Sequence, residues 1–400
     1  MVRRAFRFQL RPTARQVAAL TAMLDDHRAL YNAALQERRD AWRHPSRTSV
    51  RYTAQAGQLS EIRAFDPDQA RWSYSSQQAT LRRLDKAMVA FFRRVRAGQT
   101  PGYPRFKGRN RFDTVEWPKD GDGCRWDSDP YHPTRTRVRL QGVGHLKVNQ
   151  HRPVRGTVKT VSVRREGRRW YVVVSCDDVP AEPLPATGSV VGVDLGVASL
   201  ATTSDGVHYA NPRFAERAAG RLAAAQRDLA CKERGSKRRR KAVARVAGRH
   251  RAVARQRLDL AHKTALGLIR DHDLIAVEAL NVGGMTRRAR ARPDPDAPGA
   301  FLPNGQRAKS GLNRNILDAG WGVFLNVLHA KAESAGRVVV EVNPANTSRT
   351  CAVCGHCAAE NRRTQAAFVC MACGHTAHAD VNAAANILRV GLARQAAQGA

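Results

Sequence analysis

The chain has 400 residues and carries 68 lysines and arginines against 34 aspartates and glutamates, a formal charge of +34 with a pI near 11.2. Solubility alone needs far less charge, so the expected partner is a polyanion. No apolar run approaches the roughly 18 residues of a spanning helix, and the opening MVRRAFRFQLRP lacks a signal core, which points to nucleic acid in the cytoplasm rather than a membrane surface.

With 42% hydrophobic residues the chain can bury real cores, and its length suits about two to four domains. Residues 2–10 (VRRAFRFQL) alternate loosely as a strand, and Pro12-Thr13 stops it and starts a helix, so 1–12 is read as the first strand of a β-barrel. From 13 to 98 apolar residues recur at helical spacing (Leu20, Leu24, Tyr31 and Leu35, then Leu81, Leu84, Met88 and Phe92), giving one helical block. The stretch 99–180 changes character. Its opening, QTPGYPRFKGRNRFDTVEWP, interleaves Tyr103, Phe106, Phe112 and Trp117 with Arg105, Lys107, Arg109 and Arg111. That pattern suits phosphate neutralisation with base stacking, and equally a loop pinned by aromatic anchors. β-type runs follow to Asp177, with a turn at Glu166-Gly167, and complete a small barrel into which the helical block is inserted. The Pro-rich 181–188 reads as a linker.

After the linker an α/β pattern spans 189–344. An apolar strand ends in Asp194, two more strands follow, then basic helical stretches at 213–233 and 237–270, the strand LIAVEAL with Glu278, a basic Pro/Gly-rich loop at 285–311 that reads as mobile, one helix from about Asn313 to Ser334, and a last strand. That order is ribonuclease-H-like. Residues 345–377 carry two Cys-x2-Cys pairs, Cys351/Cys354 and Cys370/Cys373, separated by 15 residues. Each pair is followed by a glycine, the knuckle of a structural Zn2+ site, with Cys357, His375 and His378 as possible substitutes. Cys124, Cys176 and Cys231 are isolated ordinary thiols. Segment 378–392 returns to the α/β domain with Asp380 at a helix start, and 393–400 is a tail.

A buried acid at a strand end is costly unless paired or holding a metal. Asp194, Glu278 and Asp380 can converge at one sheet edge, where hard divalent cations would relieve their repulsion and act on a phosphodiester. Lys237, Arg238, Arg239, Arg240 and Lys241, and the run Arg287–Arg292, are candidates for lining a nucleic-acid channel.

The stretches VGVDLGVASLATTSDG, LIAVEALNVGGM, NRNILDAGWGVF, NPANTSRTCAVCGH and HADVNAAANIL, with GYPRFKGRNRFDTVEWP and QQATLRRLDKAMVAFFRRV upstream, together closely resemble the TnpB family of insertion-sequence-encoded, RNA-guided DNA nucleases. The resemblance implies a RuvC-type nuclease domain with an inserted zinc ribbon, and a wedge β-barrel interrupted by a helical recognition lobe. It implies Asp194, Glu278 and Asp380 as catalytic acids holding two Mg2+, and Cys351, Cys354, Cys370 and Cys373 as Zn2+ ligands. The implied partners are a guide RNA from the element's end and target double-stranded DNA read beside a short adjacent motif, with no membrane and no protein partner required. A repressor-like guided binder without cleavage, a strand-joining transposase, and a plain zinc-ribbon RNA-binding protein are the alternatives.

Overall fold

A computed structural model describes residues 2–399 except Asn110, Pro130 and Pro298. The chain forms two units, Met1–Pro180 and Ala181–Ala400. Among the described residues no helix is long and apolar enough to cross a membrane.

In the first unit, strand β1 (Val2–Leu10) is followed by a reciprocal cap: Thr13 Oγ1 accepts from the Gln16 amide, and the Thr13 amide donates to Gln16 Oε1 at 3.0 Å. The helical block is not continuous. It comprises α1 (Ala14–Arg43), three short helices α2 (Tyr52–Gly57), α3 (Leu59–Phe65) and α4 (Pro67–Ala70), and α5 (Tyr74–Arg96). Fully buried His27 ties the two long helices together, with Nδ1 against Met23 O at 2.8 Å and Nε2 against Ser76 Oγ at 2.9 Å. Burial pushes its pKa down to about 4, so it is neutral there.

The remaining strands are β2 (Thr114–Trp117), β3 (Cys124–Asp127), β4 (Arg137–Leu140), β5 (Gly144–Asn149), β6 (Thr157–Glu166) and β7 (Arg169–Val179). They join β1 in a seven-stranded sheet of order β2-β6-β7-β1-β5-β4-β3, antiparallel throughout. The β1–β5 junction has two residue pairs, Gln9 with Asn149 and Leu10 with Val148, whereas β1 pairs with β7 along nearly its full length. Inward residues Phe8, Trp117, Val163 and Val172 alternate with more exposed neighbours, the period-two pattern of a half-buried sheet. Cys124 and Cys176 are buried in this core, which raises their pKa to about 12 and about 11 and leaves them inert.

The second unit is α/β. Strands β8 (Val190–Asp194), β9 (Ser199–Thr203) and β10 (His208–Ala210) are antiparallel; β11 (Leu274–Glu278) and β12 (Val338–Val342) run parallel to β8, in sheet order β10-β9-β8-β11-β12. The connecting helices are α6 (Phe214–Ala230), α7 (Lys237–Asp271), the single turn α8 (Val282–Met285), α9 (Gln306–Ala319) and α10 (Trp321–Ala335). The small hairpin β13 (Ala367–Val369) with β14 (Thr376–His378) precedes α11 (Ala379–Gly399).

Three expectations change here. The single helix from Asn313 to Ser334 is two helices, because Gly320 adopts the left-handed conformation (φ 75°) that ends α9 and opens α10. The loop expected at 285–311 is shorter and fastened: 306–311 belong to α9, Lys309 Nζ donates to Met285 O, and Asn313 Nδ2 donates to Thr286 O and Arg287 O. Between these anchors the chain doubles back, with a bridge between Pro293 and Phe301. Finally, 393–399 continue α11 instead of forming a tail.

The linker 181–188 is sewn to the second unit, where Glu182 and Leu184 amides donate to Ser334 O and Ala335 O and Asp273 accepts from the Thr187 and Gly188 amides. Helix α11 lies on the sheet at unusually close range. A Cβ at Gly192 in β8 would come within 2.0 Å of Ala384 O, and one at Gly391 would come within 2.6 Å of the Ala276 methyl. Glycine at these two places sets how near the N-terminus of α11 comes to the strand ends.

Candidate active site

Strands β8 and β11 are parallel with Val193 opposite Val277, so the next residues, Asp194 and Glu278, leave the same end of the sheet side by side. Asp380 joins them from the first turn of α11, where the helix dipole favours an anion. Glu278 and Asp380 are buried, at 8% and 4% exposed. Burial raises the Asp194 pKa to about 7, with added repulsion from Glu278 and Asp380 and a partial offset from Arg362. The Glu278 pKa is also raised, chiefly by desolvation, and a hydrogen bond from Thr347 works against that rise. The sheet edge thus gathers three acids whose charges are incompletely neutralised.

Two further residues act directly on these acids, and no sequence pattern singled them out. Thr347 Oγ1 donates to Glu278 Oε1 at 2.6 Å, and Arg362 Nη2 donates to Asp380 Oδ1 at 3.1 Å. Both lie in the segment that carries the cysteines. A threonine before a knuckle and an arginine in a chain rich in arginine look unremarkable until folding brings them to the acids.

The knuckle itself is assembled. Among the described residues, the four sulfurs of Cys351, Cys354, Cys370 and Cys373 are the one group of potential ligand atoms within 4.8 Å of one another. Sulfurs of Cys351 and Cys373 lie 3.8 Å apart, and those of Cys354 and Cys370 3.5 Å apart. A disulfide needs about 2.05 Å, whereas the edge of a tetrahedron with Zn–S of about 2.3 Å is about 3.8 Å. Amides of Cys373 and Ala372 point at Cys370 Sγ and hold its thiol down to about 6. The cluster can therefore hold zinc, and Cys357, His375 and His378 stand outside it. His378 instead packs edge-on against His208 (4.7 Å between centroids), and its Nδ1 accepts from the Asp380 amide at 3.2 Å.

Asparagines join knuckle and acids. Asn382 Oδ1 accepts from the Ala352 amide and its Nδ2 donates to Thr350 O, while Asn386 Nδ2 donates to Thr347 O and Thr350 O. Asn382 and Asn386 are both 2% exposed and one turn apart on α11, so the segment 347–352 is clamped to the helix that bears Asp380. Within the ribbon, Asn361 Nδ2 donates to Arg349 O and His356 O, and its Oδ1 accepts from Met371.

One test follows from Thr347. In Thr347→Val the isosteric side chain keeps the packing but leaves Glu278 without its donor, which raises the Glu278 pKa further. Divalent-metal affinity at neutral pH is expected to fall about tenfold, with the loss reduced at higher pH and reversed in Thr347→Ser. Calorimetric titration with Mn2+ at two pH values measures it, and an affinity unchanged in Thr347→Val would show that Glu278 needs no such donor.

The expected nucleic-acid residues divide. Phe112 and Trp117 are buried anchors, and Lys107 is clamped to α1 by reciprocal hydrogen bonds with Asn32. Arg109 pairs with Asp25 at 2.9 Å yet remains largely exposed, and Tyr103, Arg105, Phe106 and Arg111 also face outward. In the other run Arg239 is turned inward, closing the end of α6 through Leu229 O and Lys232 O. Lys237, Arg238, Arg240 and Lys241 are exposed in the opening turns of α7, which has no acid in its first turn. Cations at a helix N-terminus oppose the dipole, a cost that an anionic ligand would offset.

Three family models match the chain: "Probable transposase" (IS605 OrfB) at 161–289, "Cas12f1-like, TNB domain" at 321–387, and "Helix-turn-helix domain" at 1–46. The last covers what is here one strand and one helix. InsQ of Escherichia coli K12, provisionally named an RNA-guided DNA endonuclease, is 34% identical over 97% of this chain and 92% of its own length. A Streptomyces pristinaespiralis protein given the same provisional description is 31% identical over 99% of this chain and 91% of its own. Among solved structures, a Cas12f1–guide RNA–target DNA complex aligns with 97% of this chain and 99% of that one at 16% identity and a TM-score of 0.35. With two relatives above 30% identity aligned along nearly their whole length, this chain belongs to the TnpB (IS605 OrfB) family.

Proposed function

We propose that the chain is an RNA-guided DNA endonuclease of an insertion sequence, hydrolysing phosphodiester bonds of target DNA next to a short adjacent motif at a single RuvC-type site. The observation that carries this reading is the convergence of Asp194 and Glu278 from paired parallel strands with Asp380 from α11, where Glu278 and Asp380 are buried and their charges raise the Asp194 pKa. Their oxygens are the hard donors that Mg2+ prefers, and the three would hold two such ions. Bound there, the metal would polarise the phosphoryl oxygen and acidify water.

The chain's own residues prepare that site. Thr347 holds Glu278 in one orientation, and His378 and the helix dipole hold the start of α11. Arg362 balances Asp380, and its guanidinium, about a quarter exposed, suits a phosphate oxygen once DNA is present. Cys351, Cys354, Cys370 and Cys373 with Zn2+ fix the ribbon that delivers Thr347 and Arg362. The first unit is assigned as the wedge (99–180 with the first strand) and the recognition lobe (13–98), holding guide and target through its arginines. A cytoplasmic location accords with that role.

The test uses protein purified with the RNA it carries from its host element. RNA-dependent cutting of a plasmid with a matching target, requiring Mg2+, is expected. RNA-dependent binding without a cut would leave a guided repressor, and strand joining without RNA would leave a transposase.

A further inference from the structure

The first unit contains a groove of about 680 Å³ between the C-terminal halves of α1 and α5, bounded by residues 48–51 and by Tyr103. Its floor is aromatic and aliphatic. Trp42 is 60% exposed, Phe92 51% and Tyr103 40%, unusual for side chains of this size on one face. These rings are held in place: Phe91 packs edge-on against Phe92 at 5.0 Å and against Tyr103 at 5.2 Å.

The rim has the opposite character. Arg39, Arg43 and Arg51 border the groove; among the described residues Asp85 is the one carboxylate lining it and is already paired with Arg38 at 3.1 Å, and Asp40 beside the rim lies 3.9 Å from Arg39. Arg38 is 6% exposed, and among the described residues its Nη2 has no hydrogen-bond partner. An apolar slot whose arginines outnumber the nearby carboxylates, with the excess at Arg43 and Arg51, does not suit a second copy of this chain, since the two rims would repel. It suits a ligand with a flat apolar face on an anionic backbone, an unstacked nucleotide.

We infer that this groove binds unpaired nucleotides of the bound RNA, stacking a base on Trp42 and Phe92 while Arg43 and Arg51 take the flanking phosphates. RNA is favoured over DNA because a duplex target presents its bases already stacked, whereas RNA loops and ends offer free base faces. The inference rests on the guided-nuclease reading for the identity of the RNA. It assigns Trp42, Arg43 and Arg51, which the sequence did not mark, and Phe92, which the sequence marked only as part of a helical apolar face.

The full chain is tested with a fluorescent oligouridine of about 12 nucleotides, an RNA duplex of equal length and oligothymidine, at a salt concentration that weakens bulk phosphate binding. In Trp42→Ala/Phe92→Ala, oligouridine affinity should fall about tenfold or more, with duplex affinity within about twofold of the parent. Arg43→Glu should lower the salt slope by about one. Photo-crosslinking of 4-thiouridine in the co-purified RNA should mark peptides containing Trp42, Phe92 or Tyr103. Trp42→Phe/Phe92→Tyr should restore affinity, which excludes a folding defect as the cause.

Unchanged oligouridine affinity, equal loss on the duplex, or crosslinks confined to other peptides would overturn the inference. Loss on oligothymidine alone would overturn it in favour of a displaced DNA strand, and dimers in sedimentation that the double variant dissolves would overturn it in favour of a second copy. Guided cleavage by the parent protein is scored separately, so a failed groove does not remove the nuclease and a failed nuclease is visible on its own.

Discussion

Asp194→Asn abolishes guided DNA cleavage, lowering the rate about a thousandfold or more at saturating Mg2+, while RNA stays bound. A carboxylate that holds a catalytic cation contributes several kcal/mol to transition-state stabilisation, and each 1.36 kcal/mol is a factor of ten. Asparagine keeps the shape of the side chain and removes its charge, so the sheet edge and the arginines proposed to hold RNA are untouched. Single-turnover cleavage of a labelled duplex, with co-purified RNA quantified in parallel, measures both halves; cleavage persisting within tenfold of the parent would remove Asp194 from the site.

The same substitution has an opposite effect on stability. The Asp194 carboxyl titrates near 7 in the folded protein and near 3.9 in an unfolded chain. Between those values the native state binds one more proton than the unfolded state, so unfolding free energy falls as pH rises from about 4 to about 7 and stays lower above that. Asp194→Asn has no such proton to lose. In metal-free protein its second-unit melting transition should lie a few degrees above the parent's at pH 8, with the gap shrinking toward pH 5. At subsaturating Mg2+ the parent's cleavage rate should rise through about pH 7 as the proton leaves Asp194. A gap that widened at low pH would mean that Asp194 is ionised in the folded protein.

Cys351→Ser should cost bound zinc and then cleavage, by about a hundredfold, with RNA retention within about twofold. Residues 346–379 have almost no core of their own: the buried cluster there is Cys351, Phe368, Cys370 and Ala379, two of which belong to the four-cysteine group. In such segments metal binding is the folding energy. When the knuckle opens, Asn382 and Asn386 lose their hold on the Thr350 and Thr347 carbonyls, Glu278 loses Thr347 and Asp380 loses Arg362. Zinc by elemental analysis, cleavage rate and RNA content together decide it. Equal loss of cleavage and RNA would mean that the ribbon supports the whole chain.

The polyanionic partner follows from the charge balance, and the knuckle from the spacing of Cys351, Cys354, Cys370 and Cys373, because covalent spacing alone limits which tight turns can gather four sulfurs. Hydrophobic pattern places the strands ending in Asp194 and Glu278, since a four-residue apolar run that ends in an acid and is flanked by turns has few other uses. Long-range geometry is a different matter. Nothing local tells that Thr347 reaches Glu278, that Arg362 reaches Asp380, or that Arg239 turns back to close α6 while its neighbours stay exposed. Gly320 reads as one tolerable glycine in a helical pattern until its left-handed φ divides the helix. The groove behind Trp42 and Phe92 exists because α1 and α5, more than 30 residues apart in the chain, lie side by side. Sequence by itself determined which chemistry the chain can carry, through charge, periodicity and ligand spacing; the tertiary structure alone decided which side chains meet that chemistry, because such contacts depend on how distant segments pack and leave no period or motif along the chain.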